Sequence, residues 1–170
     1  MSEKIEAKVT HRFRASPERV FDAFVDPALA RRWQAAWLRR SGQPGRLTHS
    51  QIDPRVGGNF LLADERENGE ARHWGTFLVL DRPSRISFSW MADESEEDDP
   101  GVVHMIIEPE PNGPGCVVTL YNEMDAQWED WLAQTEKGWM AMLAGIEDVI
   151  ERRDIPLDAK RLTAGSRSPI

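Results

Sequence analysis

The chain has 170 residues, 29% of them charged and 40% hydrophobic, with a formal net charge of -8. That length suits one domain with a core of its own, and the single cysteine, Cys116, excludes an internal disulfide framework or a multi-cysteine zinc site. The acidic balance argues against nucleic-acid binding, no apolar run reaches the ~18 residues of a membrane span, and the charged N-terminus is unlike a secretory signal. The expected setting is therefore the cytoplasm. Seven tryptophans against one tyrosine are the anomaly of the composition.

Residues 5–15 alternate, with Ile5, Ala7, Val9, His11 and Phe13 on one side of a half-buried strand. Ser16-Pro17-Glu18 then supplies an N-cap, a first-turn proline and an acid at the positive end of a helix. Asp26-Pro27 repeats the signal and predicts a second short helix reaching about Trp33. The acid-free stretch holding Arg31, Arg32, Arg39, Arg40 and Arg46 reads as a solvated helix face and loop rather than a polyanion track.

From residue 47 to 123 the pattern is of strands separated by turn chemistry: 47–53, 59–65, 73–80, 85–91, 102–108 and 116–122. Connections this short predict antiparallel hairpins. The acidic run Asp93 to Asp99 self-repels and reads as a solvated loop. A long helix is expected from about Ala126 to Arg153, with Trp128, Trp131, Leu132, Trp139, Met142, Leu143, Ile146, Val149 and Ile150 in one apolar arc. Gly138 and Gly145 share a flank of that arc, and leaving space between helix and sheet is one reason for them. Met140 lies off the arc; a lone exposed methionine is ordinary, and cover by a partner chain is the alternative, with a homodimer as a candidate assembly of the protein as a whole. The sum is an α+β domain over residues 1–153, with a flexible tail over 154–170.

Several motifs in this order resemble a known family. Arg19-Val20-Phe21-Asp22-Ala23-Phe24 leading to Asp26-Pro27 and Trp33 is similar to the opening helix pair of the START-like (SRPBCC) superfamily. Asp53-Pro54-Arg55-Val56-Gly57-Gly58-Asn59-Phe60, Trp74-Gly75, the run from Pro83 to Trp90, and Gly138-Trp139 resemble its branch named after the activator of heat-shock protein 90 ATPase. The resemblance implies a helix-grip fold, in which a bent antiparallel sheet of about seven strands holds the C-terminal helix around a hydrophobic cavity. It extends to lipid carriers, receptors and aromatic polyketide cyclases, so it does not select an activity. The separate N-terminal domain through which the eukaryotic co-chaperone contacts its chaperone has no counterpart before the first strand, which speaks against a chaperone partner.

Catalytic signatures are few. Cys116 between strand valines reads as a buried hydrophobe, and no nucleophile elbow or phosphate loop is present. The histidines His11, His49, His73 and His104 lie on separate predicted strands with no local metal-ligand spacing, so no metal and no cofactor is expected. Glu123, Asp125, Glu129 and Asp130 cluster where the last strand enters the final helix, and suit its dipole. The expected function is non-enzymatic binding of a small hydrophobic, aromatic or lipid-like molecule. Its walls would come from Trp33, Phe60, Trp74, Phe88, Trp90, Trp131, Trp139 and Met142, with His104 and Asn122 as polar groups facing the cavity. The alternatives are a cyclase- or lyase-type enzyme in which His104 and a carboxylate move protons, and a protein-interaction or chaperone-regulating module.

Overall fold

The computed structural model describes residues 3–44 and 46–151; the expected tail lies outside the described residues. The first strand, β1 (Lys4–Phe13), leads into helices α1 (Pro17–Val25) and α2 (Pro27–Arg40). Six strands follow: β2 (Leu47–Ile52), β3 (Asn59–Arg66), β4 (Gly69–Asp81), β5 (Arg85–Trp90), β6 (Gly101–Pro109) and β7 (Cys116–Asp125). A 3-10 turn over Ala126–Trp131 then enters α3 (Leu132–Ile150). The sheet order is β1-β7-β6-β5-β4-β3-β2, antiparallel at every pairing. The first strand thus closes on the last, Phe13 opposite Cys116, and β2 becomes the far edge. This is the α+β helix-grip arrangement, one seven-stranded sheet gathered against a long C-terminal helix.

Local chemistry explains the helix starts. The Ser16 side chain accepts from the Arg19 N–H and that of Asp26 from the Leu29 N–H, with a proline just inside each helix. Two expectations need correction here. The second helix does not end near Trp33 but runs to Arg40, because nothing in Ala35-Ala36-Trp37-Leu38 breaks it before Ser41 and Gly42. The final helix does not begin at Ala126: the first six residues form a tighter turn with a kink at Trp128, and α-geometry starts only at Leu132.

The extension of α2 sets the helix packing. Arg40 makes a two-pronged ion pair with Asp148, at 2.7 and 2.9 Å, tying the end of α2 to α3. A Cβ built at Gly145 would lie 3.0 Å from the Trp37 backbone nitrogen and 3.1 Å from the Trp33 carbonyl oxygen. Gly145 therefore does not open a space between helix and sheet; it lets α2 and α3 approach backbone to backbone. A Cβ at Gly138 meets nothing within 4 Å, so of the two glycines only Gly138 borders open space.

Candidate functional site

The inner end of the grip is filled. Phe24, Trp33, Phe60, Phe77, Phe88 and Met142 meet there with Trp37, Trp90 and Trp139 around a void of only about 20 Å³. The rings interlock: Phe24 stacks on Trp33 at 5.2 Å, and Phe60 meets Phe88 edge-on at 5.6 Å. The indole N–H of Trp33 donates to the Ala23 carbonyl at 3.0 Å. A void of that size is far below the roughly 300–1,000 Å³ of small-molecule sites. The interior of the grip is core.

The space lies at the mouth, in two clefts that meet at Trp37, His73 and Gly138. The larger, about 1010 Å³, runs between the second half of α2, strands β2 to β4 and the first turns of α3. Gln34, Asp64, Arg66, Gln134 and Lys137 add polar groups to its wall. The smaller, about 450 Å³, is bounded by Trp90, Asn122, Trp128, Trp131 and Trp139, with the Ala92–Glu96 loop across it. Trp37 belongs to both clefts and to the inner cluster: its ring centroid is 5.8 Å from that of Trp139 and 6.3 Å from that of Trp90. Extending α2 by two turns beyond Trp33 carries this indole into the mouth.

The predicted lining residues fall into four groups. Trp33, Phe60, Phe88 and Met142 come together, but as core around the small void. Trp90 and Trp139 stand between that core and the smaller cleft, 5.0 Å apart. Asn122 and Trp131 border the cleft itself, Trp131 at 52% exposure. The Asn122 side chain accepts from the Trp139 indole at 2.8 Å and donates to the Glu123 carbonyl at 3.2 Å, so it holds Trp139 in place. Trp74 and His104, by contrast, do not face the interior. Side chains alternate along a strand, and on β4 the inward positions are His73 and Phe77, which puts Trp74 on the outer face. On β6 the buried Val103 and Met105 point inward, so His104 points out.

On that outer face His104 has close partners. Ser87 Oγ lies 2.8 Å from its Nδ1, and Glu123 Oε2 lies 3.3 Å from its Nε2. Arg85 Nη2 also approaches Nδ1, at 3.3 Å. The residue types are those of a hydrolytic triad, but neither cleft is lined by any of them, and Ser87 is buried within the sheet. The group satisfies polar side chains across three strands.

Polar groups that the sequence did not single out occupy the larger cleft. Asp64, almost fully buried, is neutralised by Arg66, which grips it through Nε and through Nη2, the latter at 3.2 Å. His73 stacks on Trp90, centroids 4.7 Å apart and planes 13° from parallel. Burial, with a smaller contribution from the Arg66 charge and some opposition from Asp64, lowers its pKa to about 4, so the ring is neutral at pH 7. Gln34 is 2% exposed, and neither its amide oxygen nor its amide nitrogen has a hydrogen-bond partner among the described residues. A signal for Trp37 was present in the sequence, since it follows Trp33 at i+4 with no breaker between. Gln34, Asp64 and Arg66 carried none, because only the packing shows that the first two are buried and that the third is paired with Asp64.

Cys116 is fully buried and its thiol pKa is raised to about 11, chiefly by desolvation with nearby carboxylates adding to it. It is an inert core residue. Among the described residues no group of three or more His, Cys, Asp or Glu side chains could hold a metal ion. The acidic loop folds into a one-turn 3-10 helix at Glu94–Glu96, capped by Asp93. No helix of the described residues is long and apolar enough to cross a membrane.

The model of the family described as Activator of Hsp90 ATPase homolog 1-like protein matches residues 14–151. The chain belongs to that family. The match covers both opening helices, the rest of the sheet after β1, and α3, so both clefts are built from family elements. Solved structures agree on the fold. A protein from Chromobacterium violaceum superimposes with a TM-score of 0.65 at 20% identity, covering 88% of this chain and 98% of that one. A protein of unknown function from Staphylococcus aureus gives a TM-score of 0.70 at 16% identity, over 89% of this chain and 96% of its own. A third, from Mesorhizobium loti, gives 0.66 at 18% identity, over 89% and 100%. No curated protein matches this chain. At these identities the likeness carries the fold and leaves the activity open.

Proposed function

We propose that this protein binds a small, planar, partly polar molecule at the mouth of the grip, and does so without catalysing its conversion. The observation that carries the reading is the junction of the two clefts at Trp37, His73 and Gly138, where flat rings border open space of ligand size. A lipid tail needs an enclosed apolar volume, and the interior leaves about 20 Å³. The expected ligand is therefore aromatic rather than lipid-like. The cyclase or lyase alternative rests on His104 and a carboxylate, and that pair is on the far side of the sheet from both clefts. His73, the histidine at the mouth, has no carboxylate hydrogen-bonded to it among the described residues.

Filling the junction tests the reading. A side chain at Gly138 enters open space, so Gly138→Leu is expected to keep or raise the melting temperature, since a helix-interior glycine is replaced. Naphthalene and palmitate serve as probes, followed by the Trp37 indole N–H resonance in NMR spectra of the full chain. Naphthalene should shift that resonance in the wild type and not in Gly138→Leu, and palmitate should shift it in neither. An equal response of both proteins to naphthalene, or a saturable response to palmitate alone, would count against the site or the ligand class respectively.

A further inference from the structure

The buried amide of Gln34 narrows the class of ligand, a step that rests on the larger cleft being a ligand site. Gln34 lies on α2 with Trp37, Leu38 and Ser41 along the wall of that cleft. Buried polar atoms in proteins are almost always paired, since a buried group left without a hydrogen bond is destabilising. Here both ends of one side chain lack a partner among the described residues, in a residue that is 2% exposed. The nearby polar groups do not supply one. Asp64 and Arg66 are engaged with each other, and the His73 ring lies flat on Trp90. The Ser50 hydroxyl, on neighbouring β2, is likewise buried and unpaired among the described residues.

We infer that Gln34 is a recognition residue for a neutral planar ligand carrying a hydrogen-bond donor and acceptor side by side, as in a lactam or cyclic imide edge, with the ring lying against Trp37. The amide Oε1 needs a donor and Nε2 needs an acceptor, and a cis-amide edge offers both at the spacing of one carboxamide. A carboxylate offers acceptors alone and leaves Oε1 unpaired. A hydrocarbon leaves both atoms unpaired. The deep wall also lacks uncompensated charge, because the Asp64 carboxylate is already met by Arg66. Lys137, a further cation of this cleft, is at its exposed rim. Such a wall favours a neutral edge over an ionic one.

The test uses the full chain and three probes of nearly the same shape: 2-quinolone, its N-methyl derivative, which has lost the donor, and naphthalene, which has neither group. Affinities come from calorimetry, and the Gln34 side-chain NH₂ and Trp37 indole signals locate the site by NMR. The wild type should bind 2-quinolone about 10- to 100-fold more tightly than either analogue, the discrimination one unpaired buried polar group provides. Gln34→Met, of similar shape but without the amide, should bind all three alike and melt about 2–4 °C higher, because the unpaired group is gone. Equal affinities of the three probes for the wild type, each shifting Trp37, would overturn the assignment while leaving the cleft as a ligand site. A Gln34→Met protein that melts lower and keeps the wild-type preference would make Gln34 structural and would also overturn it. No response of Trp37 to any probe would overturn the cleft and the assignment together. Should the variant fail to fold, the wild-type comparison of 2-quinolone with its N-methyl derivative decides alone.

Discussion

The inner end and the mouth of the grip are made from the same residue types and differ in how completely they are satisfied. Inside, six-membered rings and indoles interlock, the Trp33 N–H finds the Ala23 carbonyl, and about 20 Å³ remains. At the mouth, further along the same helices, an amide has no partner among the described residues, a glycine borders open space and two clefts meet. A surplus of tryptophan is thus not in itself a sign of a cavity. Complete packing and complete hydrogen bonding mark the part of the molecule that carries stability, and their local failure marks the part available to a ligand.

Truncation should separate the two regions most strongly. Phe88 meets Phe24, Phe60, Phe77, Trp90 and Trp139, so Phe88→Ala should lose about 3–5 kcal/mol in urea unfolding. A loss below about 1 kcal/mol would mean that the inner end is loose and the contrast false. Next comes the boundary between them: Trp139→Phe leaves the Asn122 oxygen buried without its donor and should lower stability by about 1–3 kcal/mol. A protein as stable as the wild type would show that water reaches Asn122 from the smaller cleft.

His73 gives the mouth a pH signature. Its pKa is lowered from 6.5 to about 4 in the folded chain, so the unfolded chain binds the extra proton first. Its contribution to stability is complete above pH 6.5 and is lost as pH falls through the window from 6.5 to about 4. The whole shift corresponds to about 3 kcal/mol, and discounting for the partial exposure of the ring leaves about 1–2. Urea midpoints across this window should therefore slope less steeply in His73→Phe, which keeps the stacking on Trp90 and removes the titration. Identical slopes would refute the burial of the ring.

The two glycines of α3 should respond to one substitution with opposite signs. Gly145→Ala forces a methyl against the α2 backbone and should destabilise by about 1–2 kcal/mol. Gly138→Ala enters open space and should stabilise by up to about 1 kcal/mol. Loss of stability in both would mean that the junction at Gly138 is closed. The smallest effect is expected at His104. Its replacement by Gln should leave ligand affinity unchanged, because it sits on the outer face with Ser87 and Glu123. A tenfold change in affinity would show that the two faces of the sheet are coupled.

Turn chemistry and periodicity make the elements legible from residues alone. Ser16-Pro17 and Asp26-Pro27 cap helices where the sequence places them, and the six segments between 47 and 123 appear as six strands in antiparallel order. Such signals are local, set by a residue and the few beside it. Local signals are silent where the outcome depends on distant parts of the chain. Residue type gives Trp74 and His104 to the interior, whereas strand parity against the core assigns that face to His73, Val103 and Met105. Gly145 suggests open space in the sequence because its contact, the backbone of α2, is more than a hundred residues away.

The sequence by itself determined the α+β elements and their antiparallel order, because capping, alternation and turn residues act over a few positions and need no partner to be read, while the resemblance of its motifs carried the helix-grip class and the family. Only the tertiary structure decided that those aromatics close up inside, that the open space moves to the mouth, and that Gln34 is buried without a partner among the described residues. Burial and hydrogen-bond satisfaction are properties of what surrounds a group, and here the surroundings come from α2, the β2–β4 strands and α3, brought together from opposite ends of the chain.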